Sequence, residues 1–319
     1  MKTTTSQLYR IIALLMLPLL ISGCGRALAV PYEPAITGTE IGQRKAPFFA
    51  EELCVAEGDV AASSLELADR TCAGLFNVTT RETLYAKNIY EKINPASLTK
   101  IMTALVAIEN GDLTRTIVAG ESVIITESGA QKLGLKPGDR MTLDQALHIL
   151  LIYSANDVAL LIAENVGGSV ERFVQMMNDR AQSLGATGCH FTNPHGLTDS
   201  YHYVTAYDLY LIFNEAMKYV EFREIVNAAH YSSSYHTQDG TEIPVDIRST
   251  NGYLTGAYTV PEGIRIVGGK TGTTAAAGHC LILYLENTGG ESFVSVLMRT
   301  PDSEALDREM KKIMKSING

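Results

Sequence analysis

The stretch "NPASLTKIMTAL", residues 94–105, sets a serine and a lysine three positions apart at the head of an apolar run. Ile101, Ala104, Leu105 and Ile108 recur at helical spacing, Asn94 can cap, and Pro95 suits a first helical position. The stretch predicts a helix that starts beside Asn94 and buries one side in a core. Residues three apart share a helix face, so Ser97 and Lys100 should stand side by side. An unactivated serine is a poor nucleophile, and a lysine can take its proton only while the amine is uncharged. Burial or a neighbouring cation must therefore lower the lysine pKa.

A second cation is available in "VGGKTGTT", residues 267–274. Lys270 ends a β-prone run and is flanked by Gly268, Gly269 and Gly272, which let backbone approach a ligand closely. Lys270 would repel a proton from Lys100 and attract the anionic end of a substrate, while Thr271 and Thr273 would offer hydroxyls to a carboxylate. "YSAND", residues 153–157, adds Ser154, a hydroxyl that can relay protons, and Asn156, an amide that can position a peptide group.

The rest of the chain accommodates such a site. It has 319 residues, 46% hydrophobic and 19% charged, enough for one large buried core and unlike a disordered chain. A net charge of −9, with no lysine- or arginine-rich run, argues against nucleic acid as a partner.

Residues 1–23 read as an export signal. Lys2 and Arg10 precede or open an apolar core, "IIALLMLPLLIS" (11–22), too short to span a membrane comfortably. "ISGC" (21–24) places small residues just before Cys24 and resembles a bacterial lipobox. That resemblance implies that Cys24 is lipidated and becomes the mature N-terminus, with a membrane anchor. Ordinary cleavage after "ALA" (27–29) is the rival, giving a secreted protein. Both routes export the chain, to the outer face of the cytoplasmic membrane or the cell wall. Removing 1–23 takes away two positive charges and no acid, leaving a net charge of −11.

Residues 24–68 carry prolines, small residues and acids without a sustained period and read as a tether and linker, with one short strand at "ELCVA" (52–56). A catalytic domain is expected over 69–319. "AGLFNVTTRETLYAKN" (73–88) predicts a hairpin turning near Thr80–Glu82. From about 142 to 229 the pattern is helical. Asp144, Asn156, Asp157 and Glu164 interrupt its apolar runs, which makes them buried helices rather than membrane spans. Residues 231–262 read as a polar connection. "GIRIVGG", "GHCLILYLE" and "SFVSVLM" predict strands, with a hairpin turn at "NTGGE" (287–291). Residues 302–317 predict a helix with Leu306, Met310, Ile313, Met314 and Ile317 on one stripe, lying on the sheet. The fold class is therefore α+β, with strands from both ends of the domain and a mostly helical middle. Export permits disulfides, and Cys54 and Cys72 can bridge or stay as buried thiols; spacing leaves both open.

S-x-x-K, S-D-N and K-T-G together form the signature of penicillin-binding proteins and class A β-lactamases, and this chain matches the second as S-x-N at Ser154–Asn156. In this order, with "PASLTKIMTAL", "HFTNPHGL" (190–197) and "HYVTAYDL" (202–209), the chain resembles the serine-type D-alanyl-D-alanine carboxypeptidases, low-molecular-mass penicillin-binding proteins of peptidase family S11, over about residues 70–317. The resemblance implies a β-lactamase/transpeptidase-like fold built on an antiparallel sheet. It implies peptidoglycan stem peptides ending in D-Ala–D-Ala as substrates and β-lactams as covalent inhibitors, with no cofactor and no metal. It also implies roles: Ser97 as nucleophile, Lys100 as its base, Ser154 as proton relay, and Asn156 on the substrate backbone. Lys270, Thr271 and Thr273 would engage the carboxylate beside Gly272, with an oxyanion hole from the N–H groups of Ser97 and Thr273. An arginine near the last strand, which the family often uses, has no convincing counterpart in Arg299 or Arg308.

Other readings compete. Cys189, His190, His195 and His202 invite a zinc hydrolase, although their spacing fits no common ligand pattern. A β-lactamase of the same fold would need a deacylating glutamate in E-x-x-L-N, which this sequence lacks. A catalytically silent, wall-binding lipoprotein is the non-enzymatic alternative. Asp157 and Asp208 read as helix-start residues.

Overall fold

The computed structural model describes residues 51–63 and 65–317. β1 (Cys72–Asn77) and β2 (Glu82–Lys87) form the expected antiparallel hairpin. A 3₁₀ turn, Ala96–Leu98, leads into α1 (Thr99–Asn110). β3 (Thr116–Val118) and β4 (Arg140–Thr142) follow. The helical middle contains α2 (Leu143–His148), α3 (Asn156–Gly167), α4 (Val170–Ser183), α5 (Ala206–Ala216) and α6 (Val220–Asn227). After β5 (His230–His236), β6 (Glu242–Arg248) and α7 (Gly252–Thr255) come β7 (Ile264–Thr274), β8 (Gly278–Asn287), β9 (Ser292–Thr300) and α8 (Ser303–Ser316).

The main sheet has the order β2-β1-β9-β8-β7, antiparallel throughout. Strand alternation sends Leu281, Leu283 and Leu285 of β8 to one face, where Leu306, Met310, Ile313 and Met314 of α8 cover them. Ile282 of β8 and Val294, Val296 and Met298 of β9 join the helical side with Leu105 of α1 and Phe213 of α5. Both faces are thus buried, as two-sided apolar strands require. β7 is left on the edge, open toward the start of α1. This is the expected α+β architecture, with the sheet drawn from the two ends of the domain.

Four details differ from the sequence reading. The helix does not start at Pro95: Ala96 takes a left-handed φ of 48°, which breaks helical continuity, so Ser97 sits in the 3₁₀ turn and Asn94 Oδ1 instead accepts from Ala96 N at 3.1 Å. Residues 231–262 are not a plain connection; β5 and β6 complete a second sheet of order β3-β4-β5-β6. Its strands read as polar because one face of the β5–β6 ribbon is wet, with Ser232, Asp246 and Glu242 outward and Val245 and Ile247 inward. "ELCVA" forms no strand; Cys54 N donates instead to Tyr210 Oη at 2.8 Å. Finally, the packed region begins upstream of residue 69: Val60 bridges Ala86, and Leu65 and Leu67 are buried. All four described cysteines are free thiols. Residues 1–50, with the signal and Cys24, lie outside the described residues.

The tie between β1 and the helical layer is aromatic. Phe76 is fully buried and stacks on Tyr210 at 4.0 Å between centroids. Phe76→Ala should lower unfolding free energy by about 3–5 kcal/mol, read as a drop in the urea midpoint with an unchanged slope. A loss below about 1 kcal/mol would show that this contact does not hold the layers together.

Candidate active site

Three local irregularities deliver the polar residues. Ser97 follows the left-handed Ala96, whose carbonyl accepts from Thr99 Oγ1 at 2.8 Å. Thr99 Oγ1 is in turn 2.8 Å from His202 Nε2. His202 Nδ1 accepts from Thr192 N at 3.1 Å, so the ring proton sits on Nε2 and points at Thr99. Ser154 follows a π-helical turn, Ile149–Tyr153, and itself holds a left-handed φ of 67°. Such a conformation in a non-glycine residue needs surrounding structure to hold it. Lys270 and Gly272 are on edge strand β7, and a Cβ on Gly272 would reach 3.0 Å from both Ser97 N and Pro95 O. Only glycine lets this strand come so close to the serine turn.

Lys100 is fully buried in the first turn of α1. Its Nζ lies 2.9 Å from Ser97 Oγ, 2.6 Å from Asn156 Oδ1 and 2.6 Å from the His195 carbonyl. The last two partners only accept. A neutral amine has two N–H groups and one lone pair, so the two acceptors use the hydrogens and the lone pair is left facing the Ser97 hydroxyl. Burial, then the charge of Lys270, push the Lys100 pKa well below 10.5, against an opposing pull from Asp157. The neighbouring cation matters, but desolvation is the larger cause.

Lys270 is also buried, with Nζ 2.9 Å from Ser154 Oγ and 3.0 Å from the Thr271 carbonyl. Burial alone lowers its pKa to about 7. Thr271 Oγ1 is 2.5 Å from Thr250 Oγ1, and Thr273 Oγ1 is 3.4 Å from His279 Nδ1. Ser97, Ser154, Asn156, Thr271, Gly272 and Thr273 all line one groove of about 680 Å³, with Lys100 and Lys270 buried beside it. Cys24 lies outside the described residues.

Sequence reasoning missed several parts. The His195 carbonyl that orients Lys100 is backbone, invisible to residue typing. Asp157 does more than start α3: its carboxylate accepts from the N–H groups of Leu133, Gly134, Leu135 and Val158 at 2.7–3.0 Å. With Asn156 N donating to the Gln131 carbonyl at 2.8 Å, it pins loop 127–135 over the groove. Asp208 keeps the helix-start role, in a reciprocal cap with Thr205. The histidine-rich stretches brace the site: burial lowers the pKa of His195 to about 3 and of His202 to about 4, leaving both rings neutral. Among the described residues no group of three or more His, Cys, Asp or Glu is arranged to hold a metal. Arg299 pairs with Glu91 at 2.6 Å and Arg308 with Glu309 at 3.3 Å, and neither lines the groove.

Lys270 makes stability depend on pH in a specific direction. Its folded pKa of about 7 lies below the ordinary 10.5, so between those values the unfolded chain binds more protons and stability rises with pH. Lys270→Met removes this. The variant-minus-wild-type difference in Tm should be most favourable to the variant below pH 7 and should shrink as pH rises toward 10. A difference independent of pH over that range would mean that Lys270 stays fully charged in the fold.

Comparison with known proteins places the chain. The family model for Peptidase_S11, D-alanyl-D-alanine carboxypeptidase, matches residues 60–301. The D-alanyl-D-alanine carboxypeptidase DacF of Bacillus subtilis is 33% identical over 207 residues, 63% of this chain and 50% of that protein. DacB2 of Mycobacterium tuberculosis is 37% identical over 206 residues, covering 64% of this chain and 66% of the relative. The chain thus spans half the length of the Bacillus relative. The crystal structure of the Streptomyces K15 DD-transpeptidase superposes with a TM-score of 0.71 at 27% identity, covering 79% of this chain and 97% of that one. With three quarters of its length matched by one family model, this chain belongs to the Peptidase_S11 family, D-alanyl-D-alanine carboxypeptidase.

Proposed function

We propose that this chain is a serine-type D-Ala–D-Ala carboxypeptidase that trims peptidoglycan stem pentapeptides through an acyl-enzyme. The observation that carries the reading is the buried Lys100 Nζ, 2.9 Å from Ser97 Oγ and held by the Asn156 side-chain oxygen and the His195 carbonyl, with burial lowering its pKa well below 10.5. Ser97 gives its proton to Lys100 Nζ and attacks the carbonyl of the penultimate D-alanine. The oxyanion is held by the N–H groups of Ser97 and Thr273, a kind of contact worth about 2.7–4 kcal/mol per donor. The proton passes through Ser154 to the departing D-alanine nitrogen, and the C–N bond breaks to leave an ester on Ser97. Lys100, neutral again, takes a proton from the attacking water; the ester C–O bond breaks, Lys100 returns that proton to Ser97 Oγ, and the tetrapeptide leaves with its new carboxylate. Asn156 holds the substrate backbone amide while Thr271, Thr273 and Lys270 hold the terminal carboxylate. That carboxylate favours the ammonium form of Lys270, whose pKa of about 7 leaves it poised between states.

β-Lactams would acylate the same serine. Fluorescent penicillin should label the protein covalently, and Ser97→Ala should abolish the label together with D-alanine release from a synthetic pentapeptide ending in D-Ala–D-Ala. Label that persists in Ser97→Ala rules out this nucleophile.

The substrate lies outside the cytoplasm, which agrees with the export signal at residues 1–23. Among the described residues no helix is long and apolar enough to cross a membrane. Lipidation at Cys24 would supply the anchor, with the residues up to the packed domain as tether. Cys24→Ala should move the exported protein from the membrane fraction to the soluble fraction; continued membrane partition contradicts the lipid anchor.

A further inference from the structure

Among the described residues that line the groove, His279 alone can carry a positive charge; the two site lysines are buried. His279 stands on β8 directly opposite Thr273 of β7, and residues paired across antiparallel strands send their side chains to the same face. Its Nδ1 is 3.4 Å from Thr273 Oγ1. Thr271, two residues earlier on β7, shares that face, and its hydroxyl has a partner of its own in Thr250 Oγ1 at 2.5 Å. Each hydroxyl that meets the substrate carboxylate is therefore held by a residue from outside β7. The backbone around His279 is irregular. Gly278 has a left-handed φ of 66°, and a Cβ there would come within 2.6 Å of the Thr300 carbonyl. On the facing strand Arg299 has a φ of 61°, where the β8–β9 register shifts between His279 and Leu281; such bulges re-aim side chains. Thr300 Oγ1 also donates to the His279 carbonyl at 2.9 Å, so the main chain of His279 is fixed from both neighbouring strands.

We propose that His279 is a positioning residue for the substrate carboxylate: its Nδ1–H donates to Thr273 Oγ1 and turns the Thr273 hydroxyl hydrogen toward the anion. A threonine hydroxyl has one hydrogen. If Nδ1 accepted it, the lone pairs of Thr273 would face the carboxylate and repel it. With Nδ1 as donor, that hydrogen is free for the substrate. The 3.4 Å separation is long for such a bond and should tighten once a carboxylate draws on the hydroxyl. His279 thus sets how strongly the groove prefers a charged terminus to a neutral one. This rests on the carboxypeptidase reading above.

Two synthetic substrates separate the outcomes: a pentapeptide ending in D-Ala–D-Ala, and the same peptide with its terminal carboxylate converted to a carboxamide, followed by release of D-alanine or D-alaninamide. Wild type should prefer the acid. His279→Ala should lower kcat/KM for the acid about tenfold, mainly through KM, as loss of a hydrogen bond serving a charged group does, and change the amide by less than about twofold. His279→Asn, which can place an amide N–H near the position of Nδ1, should keep most of the acid-over-amide ratio. His279→Gln, reaching toward the position of Nε2 instead, should keep little of it. In a Thr273→Val background His279→Ala should not change the ratio further, because the histidine acts through that hydroxyl. An unchanged ratio in His279→Ala, or an equal loss on both peptides, overturns the assignment. So does an effect of His279→Ala that persists in Thr273→Val, or a ratio kept as well by Gln as by Asn. A wild type that neither releases D-alanine nor takes fluorescent penicillin defeats the carboxypeptidase reading itself, and the assignment with it, an outcome distinct from the others.

Discussion

An uncharged lysine inside the protein is the constraint on which the site depends. A buried ammonium would need its charge compensated, yet the partners of Lys100 Nζ are a hydroxyl, an amide oxygen and a backbone carbonyl. None is a carboxylate. With no carboxylate in contact to offset the charge, burial lowers the Lys100 pKa well below 10.5, and Lys270 adds to the effect. Asp157, the one carboxylate that pulls the other way, spends its oxygens on four backbone N–H groups. Those bonds hold its charge toward the loop, where it fixes the groove wall.

The fold can be understood as what it takes to build that environment from three distant stretches. The 3₁₀ turn brings Ser97 and the first turn of α1 brings Lys100; the turn before α3 brings Ser154 and the start of α3 brings Asn156; β7 brings Lys270. The sheet holds β7 on its edge, where the lack of a side chain at Gly272 lets it touch the serine turn. Behind the turn, Thr99 Oγ1 donates to the carbonyl of Ala96 and is itself held by His202, and the lack of a side chain at Gly196 leaves that carbonyl room. Strain at Ala96 and Ser154 is offset by this surrounding network.

Much of this was legible in the sequence, for reasons that differ by element. Helical spacing after Ser97 and the unbroken apolar run in "GHCLILYLE" report burial directly, so the core helix and the central strands were legible. The site residues were legible because their chemistry is rare as a set: two lysines, two serines and an asparagine in a fixed order. What escaped was set by tertiary context. The serine turn is 3₁₀ because of Ala96's backbone, not because of any cap signal. β5 and β6 belong to a ribbon with one wet face, so a dense pattern of serines and acids masked the strands. The His195 carbonyl and the backbone partners of Asp157 carry no side-chain signature at all, and the larger share of burial over the second cation in neutralising Lys100 depends on packing density that spacing does not encode.

The central claim is a protonation state, and it can be measured on the nucleus concerned. Nitrogen-15 NMR of the lysine side chains, with Lys100→Arg used to assign the resonance, would follow Lys100 Nζ from pH 5 to pH 11 in the free protein. A neutral-amine shift at pH 7 and a titration well below 10.5 are expected. A Lys100 signal that stays in the ammonium range at pH 7 and titrates near 10.5 would contradict it.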